Sequence, residues 1–236
     1  MKDKHQFSMV RKSYLRIANK INYLLARDNF SKDIKILDWG GNDGVLATIL
    51  YDLNYRDITV FDVGAPLKFD LERFPNLRNV SSRWSEDLIA LPFADQSFDV
   101  LVSCGVLEHA AFINRSLEEI NRVLKYDGRF FIFHFPQQRS WTEFIASIHK
   151  KSGHSRKYSA RELRIFLNSN GFEVKKLWKF NFLPKALYPL PEKYLKYYSK
   201  ISRPVFWLDG ILSRVPLINL FCNSLECYCV KVKYIK

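Results

Sequence analysis

A chain of 236 residues is long enough for one full hydrophobic core, or at most two small ones. Its hydrophobic content of 47% and charged content of 26% are ordinary for a globular protein. The net charge of +13 is uneven, because residues 1–140 hold 19 Lys and Arg against 18 Asp and Glu, whereas residues 141–236 hold 18 against 6. Basicity concentrated in the last two-fifths of the chain indicates an anionic partner.

The cysteines and the apolar segments exclude several classes of protein. Cys104, Cys222, Cys227 and Cys229 form no C-x-x-C pair, so neither a zinc site nor a disulfide framework is indicated. No segment reaches the roughly 18 apolar residues of a membrane-spanning helix. The N-terminus lacks the apolar core of a secretory signal. We therefore expect a cytoplasmic protein with reduced cysteines, which can act as a peripheral protein at the inner membrane face.

The first predicted element is an amphipathic helix near the N-terminus. Between Arg and Lys residues, apolar side chains recur at helical spacing at Val10, Tyr14, Ile17, Ile21 and Leu24. The alternatives for this helix are a cover that closes a binding site and a helix that only packs against the core.

Short apolar runs then alternate with helical patterns along the chain. Strands are predicted at 34–37, 57–62, 80–84, 98–103, 129–135, 172–180 and 226–234, and helices at 45–52, 116–125 and 160–169. This alternation is typical of a mostly parallel sheet covered by helices on both faces. The last two strands alternate in polarity, which favours an antiparallel edge.

Residues 183–224 interrupt this rhythm and are predicted to form an insertion of short helices before the last strand. The segment combines Lys and Arg with Tyr, Phe, Trp and many aliphatic residues. This is the composition of a helix that lies on an anionic bilayer. A lid or a dimer interface is the alternative, and nucleic acid could also use stacking and phosphate contacts. The aliphatic residues favour a lipid or a hydrophobic pocket over RNA.

The stretch KILDWGGNDG, residues 35 to 44, carries a sign of a ligand site. A buried strand runs into Asp38, and Gly40, Gly41 and Gly44 follow where a helix begins. Ligands of open α/β sheets bind at this place, outside the carboxyl ends of the strands. Glycine lets the backbone approach a ligand, and the helix N-terminus favours an anion. Asp38 supplies an acceptor for a cationic group.

The pattern D-x-G-x-N-x-G from Asp38 to Gly44 resembles motif I of the class I S-adenosylmethionine-dependent methyltransferases, with Asn42 in place of the usual middle glycine. The nicotinamide fingerprint G-x-G-x-x-G is absent. Three later stretches resemble the type 11 members of this family, in the right order. They are DLIALPFADQSFDVLVSCGVLEHA at 87–110, EEINRVLKYDGRFFI at 118–132 and KYSARELRIFLNSNGFEV at 157–174.

The resemblance implies a Rossmann-like α/β fold with a seven-stranded, mostly parallel sheet, an antiparallel edge strand and three layers. It implies one methyltransferase domain over 1–236, with an N-terminal helical cover at 1–30 and the basic, aromatic insertion at 183–224. The implied cofactor is S-adenosyl-L-methionine. The residues implied to bind it are Asp38, Gly40, Gly41, Asn42, Gly44, Asp62, Val63, Asp87, Leu88, Ser103 and Cys104.

Two of these acids carry specific roles in the family. At the position of Asp62, which ends the second strand, an acid accepts hydrogen bonds from the ribose hydroxyls. At the position of Asp87, an acid binds the adenine amino group beside the Leu88 backbone. Taken alone, Asp62 could equally be a helix cap and Asp87 a solvated loop residue.

Two histidines are candidates for the base that a hydroxyl acceptor needs. His109 follows the fourth strand in the sequence LEH, and His134 ends the strand FIFHF. A histidine pKa near neutrality suits proton removal. The alternatives are structural: His109 orients the following helix, and His134 is a satisfied histidine under the lid. His5, His149 and His154 lie in polar segments and are expected to be solvated.

No metal is expected from the sequence. Some quinone O-methyltransferases of this superfamily bind a metal through a second acid three residues before the residue that matches Glu108. Gly105 stands at that position here.

Three functions are consistent with the sequence. The first is an S-adenosylmethionine-dependent methyltransferase whose acceptor is a small molecule linked to a lipid, such as a polyprenyl-linked glycan, a quinone or a lipid precursor. The second is an RNA methyltransferase. The third is a catalytically silent protein of the same fold that acts as an adaptor at a membrane or on a partner.

Overall fold

A computed structural model describes residues 4–148, 154–183 and 192–232. Its helices are α1 (Lys4–Arg27), α2 (Val45–Asp52), α3 (Ile113–Val123), α4 (Trp141–Ile148), α5 (Ala160–Ser169) and α6 (Glu192–Leu212). Its strands are β1 (Lys35–Trp39), β2 (Asp57–Val63), β3 (Ser81–Ser85), β4 (Phe98–Cys104), β5 (Leu124–Pro136), β6 (Phe172–Phe180) and β7 (Ser224–Lys231). Short 3-10 turns lie at Pro75–Asn79, Leu107–His109 and Ile218–Phe221.

The strands of the described residues form one seven-stranded sheet in the order β3-β2-β1-β4-β5-β7-β6. The first five strands pair in parallel, whereas β7 pairs antiparallel with both β5 and β6. β6 therefore runs in the same direction as the first five strands, and the antiparallel strand lies one place inside the edge. The predicted Rossmann-like, mostly parallel sheet is confirmed. The strand order reverses between β1 and β4, which is where ligands bind in such sheets.

Helices cover both faces of the sheet and produce three layers. α1 and α2 pack on the face that carries Ile36 and Val100, and α3 and α5 pack on the face that carries Leu37 and Leu101. Neighbouring residues of one strand thus enter opposite cores, because successive side chains point to opposite faces. This double burial is why the central strands read as continuous apolar runs.

The N-terminal helix is longer than its apolar pattern predicts, and an ion-pair network joins it to the sheet. Arg16 Nη2 lies 2.5 Å from Glu226 Oε1, and Lys20 Nζ lies 2.9 Å from Glu226 Oε2. Glu226 belongs to β7 and is fully buried. Burial by itself would raise the pKa of Glu226, but Arg16 and Lys20 lower it to about 2. The carboxylate therefore stays charged and holds α1 against β7.

The insertion contains one long helix where the sequence predicts several short ones. α6 continues through Pro204, a residue that usually ends a helix because it lacks an N–H donor. Its buried side packs against α1, where Lys12 Nζ donates a hydrogen bond to Ser202 Oγ at 2.5 Å. Such tertiary contacts can override local propensity. Residues 184–191 of the insertion lie outside the described residues. In the described segments, α6 and the other helices are too short or too polar to cross a membrane.

Candidate active site

The turn between β1 and α2 presents bare backbone at the carboxyl edge of the sheet. Gly40 has a φ of +74°, and a Cβ there would lie 2.2 Å from Val106 Cγ2. A Cβ on Gly41 would lie 2.7 Å from Asp38 Oδ2. Asn42 has a φ of +44°, which Asn tolerates better than most residues. The replacement of the family's middle glycine therefore leaves the turn intact.

Asp38 lies under this turn with an incomplete set of hydrogen bonds. Its side chain is 1% exposed, and its Oδ2 has no hydrogen-bond partner among the described residues. Burial, followed by the nearby charges of Asp62 and Asp43, raises the pKa of Asp38 to about 7. A buried acceptor without a donor is costly. The site therefore suits a ligand that brings a cationic donor to Asp38.

Asp62 ties the glycine turn to the end of β2. Its Oδ2 accepts a hydrogen bond from the backbone N–H of Asn42 at 3.1 Å, and its Oδ1 accepts one from Val63 N–H at 2.8 Å. The backbone N–H of Gly40 donates to the carbonyl of Phe61 at 2.7 Å. Each carboxylate oxygen keeps lone pairs for a further donor. Asp62 thus positions the turn and can still accept from a ligand hydroxyl.

Asp87 and Leu88 lie on the loop after β3. Asp87 Oδ1 accepts hydrogen bonds from the backbone N–H groups of Ile89 and Ala90, at 2.7 and 3.0 Å. These bonds, with the one from Ala90 strongest, lower the pKa of Asp87. Leu88 and Val63 are both exposed apolar side chains. The acid therefore stabilises its own loop, and the two apolar residues leave a surface that suits a flat ring.

The end of β4 lies under α1. Ser103 is fully buried, and its Oγ has no hydrogen-bond partner among the described residues. The Tyr14 side chain of α1 is hydrogen-bonded to Cys104. The pKa of Tyr14 is raised, first by Cys104 and burial and then by the nearby charges of Asp38 and Asp43. Burial, followed by Asp38, raises the pKa of Cys104. α1 thus brings a hydroxyl to the cofactor side of the sheet.

A second cluster of polar side chains, Glu108, His109 and His154, lies just past the end of β4. His109 Nε2 is 3.8 Å from Glu108 Oε1, and the His109 and His154 rings are 5.4 Å apart between centroids. The ring nitrogen Nδ1 of His154 lies 2.8 Å from Glu143 Oε1. The backbone N–H of His154 donates a hydrogen bond to Glu143 Oε2 at 3.1 Å. His154 is exposed, as expected, and α4 additionally supplies a carboxylate for it.

Burial shifts the pKa values of Glu108 and His109 in this cluster. It raises the pKa of Glu108 to about 7. Burial, followed by the positive charges of His154 and Arg156, lowers the pKa of His109. Arg156 Nη1 donates hydrogen bonds to the carbonyls of Glu108 and Ala110, both at 2.8 Å. His109 is therefore neutral at pH 7 and able to accept a proton.

His134 also lies near Gly105. It has a φ of +62° in β5, and its Nδ1 is 3.1 Å from Asn181 Nδ2. A Cβ built on Gly105 would lie 3.9 Å from His134 Cβ and 3.8 Å from Glu108 Oε1. The two segments that carry the candidate bases thus flank one glycine at the end of β4.

The predicted residues lie at the carboxyl ends of the parallel strands and their loops, as the pattern requires. Asp38, the glycine turn and Asp62 share direct contacts, whereas Asp87 contacts its own loop. Tyr14, Glu108, Glu143 and His154 belong to the same region but were not predicted as site residues. His5 and His149 lie where the structure describes no side chain.

The sheet order, the glycine turn after β1 and the acid that ends β2 together define the class I methyltransferase architecture. The family described as a methyltransferase domain matches residues 9–177. The chain therefore belongs to this family and carries a methyltransferase domain.

Curated relatives match only in part. The uncharacterized protein YafE of Escherichia coli is 27% identical over 146 residues, which span 59% of this chain and 65% of YafE. The uncharacterized methyltransferase YcgJ of Bacillus subtilis is 29% identical over 96 residues, which span 39% of this chain and 38% of YcgJ. The chain thus matches less than two thirds of the length of these relatives.

Solved structures share the fold over most of the chain. A Haloferax volcanii protein in complex with the methyltransferase activator Trm112 has a TM-score of 0.60 at 21% identity, covering 92% of this chain and 90% of its own. A Burkholderia thailandensis 1,6-didemethyltoxoflavin-N1-methyltransferase, with its substrate and S-adenosylhomocysteine bound, has a TM-score of 0.58 at 16% identity. It covers 99% of this chain and 92% of its own.

Proposed function

We propose that this protein transfers a methyl group from S-adenosylmethionine to an anionic, lipid-linked small molecule at a membrane surface. Polyprenyl-linked glycans, quinones and lipid precursors are the acceptor classes that fit. The observation that carries the membrane part is the inverted polarity of α6, which exposes a stripe of large apolar side chains and buries polar ones. The orphaned carboxylate of Asp38 supports the cofactor site.

The candidate cofactor residues would bind different chemical groups of the cofactor. Asp38 would accept from the ammonium group of the cofactor, and the N–H groups of the glycine turn would face its carboxylate. Asp62 would accept from the ribose hydroxyls, and the Asp87 loop with Leu88 and Val63 would hold the adenine. Ser103 and Cys104 would complete the floor of the site at the end of β4. When bound, the cofactor supplies an electrophilic methyl group on a sulfonium.

Replacing Asp62 by Ala should weaken binding of S-adenosylhomocysteine at least tenfold, or about 1.4 kcal/mol. The substitution removes the ribose acceptor and also the bond that holds Asn42. Calorimetric titration measures the change. Asp57→Ala is the matched control, because Asp57 is an exposed acid at the opposite end of the same strand. Equal affinity in the wild type and Asp62→Ala would contradict the assignment.

The acceptor chemistry needs alignment and, for a hydroxyl acceptor, a base. As the bond between oxygen and the methyl carbon forms and the bond between carbon and sulfur breaks, the acceptor proton must leave. His109 or His134 would take it, since both flank Gly105 at the end of β4. A neutral His109 is in the form that accepts a proton. Alignment of the two reactants can itself lower the barrier by about 7–11 kcal/mol.

α6 shows the reverse of the usual surface pattern. A surface helix ordinarily buries its apolar stripe and exposes its polar face. Among the described side chains of α6, the buried ones are Ser202 and Asp209. The exposed ones that recur at helical spacing are Tyr197, Ile201, Trp207, Leu208 and Ile211, of which Trp207 is 69% exposed.

Exposed cations flank this apolar stripe and favour an anionic partner. They are Lys196, Lys200, Arg203 and Arg214. Aliphatic side chains, an exposed Trp and flanking Lys and Arg fit the boundary between the headgroups and the acyl chains of an anionic bilayer. A protein partner would also cover apolar residues, but the run of cations favours an anionic surface.

A basic groove borders the same helix and supports an anionic acceptor. It has a volume of about 850 Å³ and lies between α1, α5, α6 and the carboxyl-terminal half of β6. The cations that line it are Arg16, Lys20, Arg161, Arg164, Lys179 and Arg214, and the aromatic residues are Trp178, Phe180 and Phe206. Because β6 is parallel to β1, the groove opens at the same edge of the sheet as the glycine turn. Since Arg16 and Lys20 are paired with Glu226, a phosphate or diphosphate headgroup would suit the other four cations.

Flotation with anionic vesicles tests the membrane part. We expect Lys200→Ser with Arg203→Ser to weaken vesicle binding about thirtyfold, because each cation near an anionic surface contributes about 1 kcal/mol. The matched control is Arg78→Ser with Arg83→Ser, which removes the same charge from exposed positions at the β3 edge of the sheet.

Binding and activity measurements distinguish the lipid methyltransferase, the RNA methyltransferase and the silent adaptor. Failure of the wild type to bind anionic vesicles would remove the membrane part. Retention on RNA, with a steep dependence on salt, would favour the RNA methyltransferase. Transfer of labelled methyl groups into a lipid extract would support the proposed acceptor. Binding of S-adenosylhomocysteine without methylated product in lipid or RNA extracts would favour the silent adaptor.

A further inference from the structure

We propose that Glu108, His109 and His154 form a binding site for a divalent metal ion that prefers imidazole ligands, such as Zn²⁺. One ligand atom of each residue lies within 4.8 Å of the others. The site is independent of the acid-x-x-Glu pattern, which Gly105 interrupts. It depends on His154, which comes from a loop 45 positions further along the chain.

The donor set selects the class of metal. Two imidazoles and one carboxylate form the protein ligands of several catalytic zinc sites. Imidazole ligands suit Zn²⁺ and its neighbours in the first transition series, whereas Mg²⁺ and Ca²⁺ prefer oxygen ligands throughout. Three protein ligands leave at least one coordination position for water or an acceptor oxygen. His109 is 64% exposed at its side chain, so a ligand from solvent can reach this position.

A buried carboxylate oxygen points independently to a cation. Glu108 is 5% exposed, and its Oε2 has no hydrogen-bond partner among the described residues. The guanidinium of Arg156 donates to the backbone carbonyls of Glu108 and Ala110. A buried carboxylate oxygen without a hydrogen-bond partner is costly to the folded state. A metal ion at this place would remove that cost.

Glu143 orients His154 in the manner typical of metal sites. Metal-bound histidines usually donate their other ring N–H to a carboxylate. His154 Nδ1 is 2.8 Å from Glu143 Oε1, and Glu143 is held in turn by the His154 backbone N–H and by Lys157 Nζ at 3.5 Å. This contact sets the tautomer in which Nε2 of His154 is free to bind a metal.

The location gives the metal a role in acceptor binding, and this role rests on the proposed function. Glu108 Oε1 and His134 Cβ would both lie within 4 Å of a Cβ built on Gly105, at the end of β4. A metal ion there would bind an acceptor oxygen and lower its pKa. His109 would then serve as a ligand, and His134 would remain as the candidate base.

Titration of the metal-stripped full chain, carrying no affinity tag, with Co²⁺ and Zn²⁺ tests the site. We expect one Co²⁺ per chain with visible absorption, displaced by Zn²⁺ and not by Mg²⁺. Glu108→Gln and His154→Asn should each weaken Co²⁺ binding more than tenfold. Glu143→Gln should weaken it by about ten- to a hundredfold, as loss of an orienting carboxylate does.

His134→Asn is the matched control, because it removes an imidazole outside the site and Asn tolerates the positive φ there. Its Co²⁺ affinity should equal that of the wild type. Absence of a stoichiometric Co²⁺ or Zn²⁺ site, or affinity unchanged in both Glu108→Gln and His154→Asn, would overturn the proposal. Thermal unfolding of each variant without metal reports whether it folds. Since neither acceptor nor cofactor is present, failure of the metal site is distinct from failure of the proposed function.

Discussion

Replacing Asp38 by Asn is expected to weaken binding of S-adenosylhomocysteine about a hundredfold, or about 2.8 kcal/mol. Hydrogen bonds to a charged group contribute about 1.5–3 kcal/mol each. Asp38 is fully enclosed, and its Oδ2 has no protein donor among the described residues, so the ammonium group of the ligand would be its principal partner. The amide of Asn keeps the shape of the side chain and removes the charge. Calorimetry at pH 8 measures the loss.

The pH dependence of binding provides a second test of the same carboxylate. In the free protein, the pKa of Asp38 is raised to about 7, chiefly by burial. The ligand binds the ionised form, which is about one tenth of the protein at pH 6. Affinity should therefore fall about tenfold from pH 8 to pH 6 in the wild type. In Asp38→Asn this dependence should disappear.

A loss of folding is distinguishable from a loss of binding. Because the raised pKa means that the folded state favours the protonated form, ionised Asp38 destabilises the free protein as pH rises from about 4 to 7. Asp38→Asn should therefore unfold at no lower urea concentration than the wild type at pH 8. Asp87→Asn, which changes an exposed acid, should keep the pH dependence of binding. A flat pH profile in the wild type would contradict the assignment of Asp38.

Replacing both Arg16 and Lys20 by Met is expected to lower the free energy of unfolding by about 3–5 kcal/mol at pH 7. Both cations bind Glu226, which is fully buried on β7. Their removal leaves a buried carboxylate without its counterions. Urea unfolding measures the change, and the main consequence is a weaker attachment of α1 to the sheet.

The third member of the network provides the control. Adding Glu226→Leu to the double variant removes the unpaired charge and should restore most of the lost stability, because apolar replacement of a whole buried ion pair is often neutral. In the wild type, the pKa of Glu226 is lowered to about 2, so its contribution is present at neutral pH and is lost as pH falls from about 4 toward 2. In the double variant, burial raises this pKa, and stability should recover as the pH falls below it. A double variant as stable as the wild type would contradict the role of the network.

Much of the fold could be predicted from the sequence, because residues near each other in the chain determine where its strands and helices form. The central strands and the helices Val45–Asp52 and Ala160–Ser169 lie where periodicity predicts them, since these patterns arise from one face of an element meeting a core. The glycine turn was also predictable, because backbone geometry limits that position to glycine and a few other residues. The predicted strand at 129–135 is shorter than β5, which spans Leu124–Pro136. The sequence pattern missed the polar start of β5, residues 124–128. There, pairing with β4 rather than side-chain pattern extends the strand.

The sequence by itself determined the fold class, the glycine turn and the acids that follow it. Only the tertiary structure brought His154 to Glu108 and His109, because their proximity depends on where α4 and α5 pack. It also decided that α6 exposes an apolar stripe, since a helical pattern identifies such a stripe but not the side that the protein leaves uncovered. The physical reason is the same in both cases: local pattern fixes an element, whereas burial and partners are properties of the packed assembly of elements.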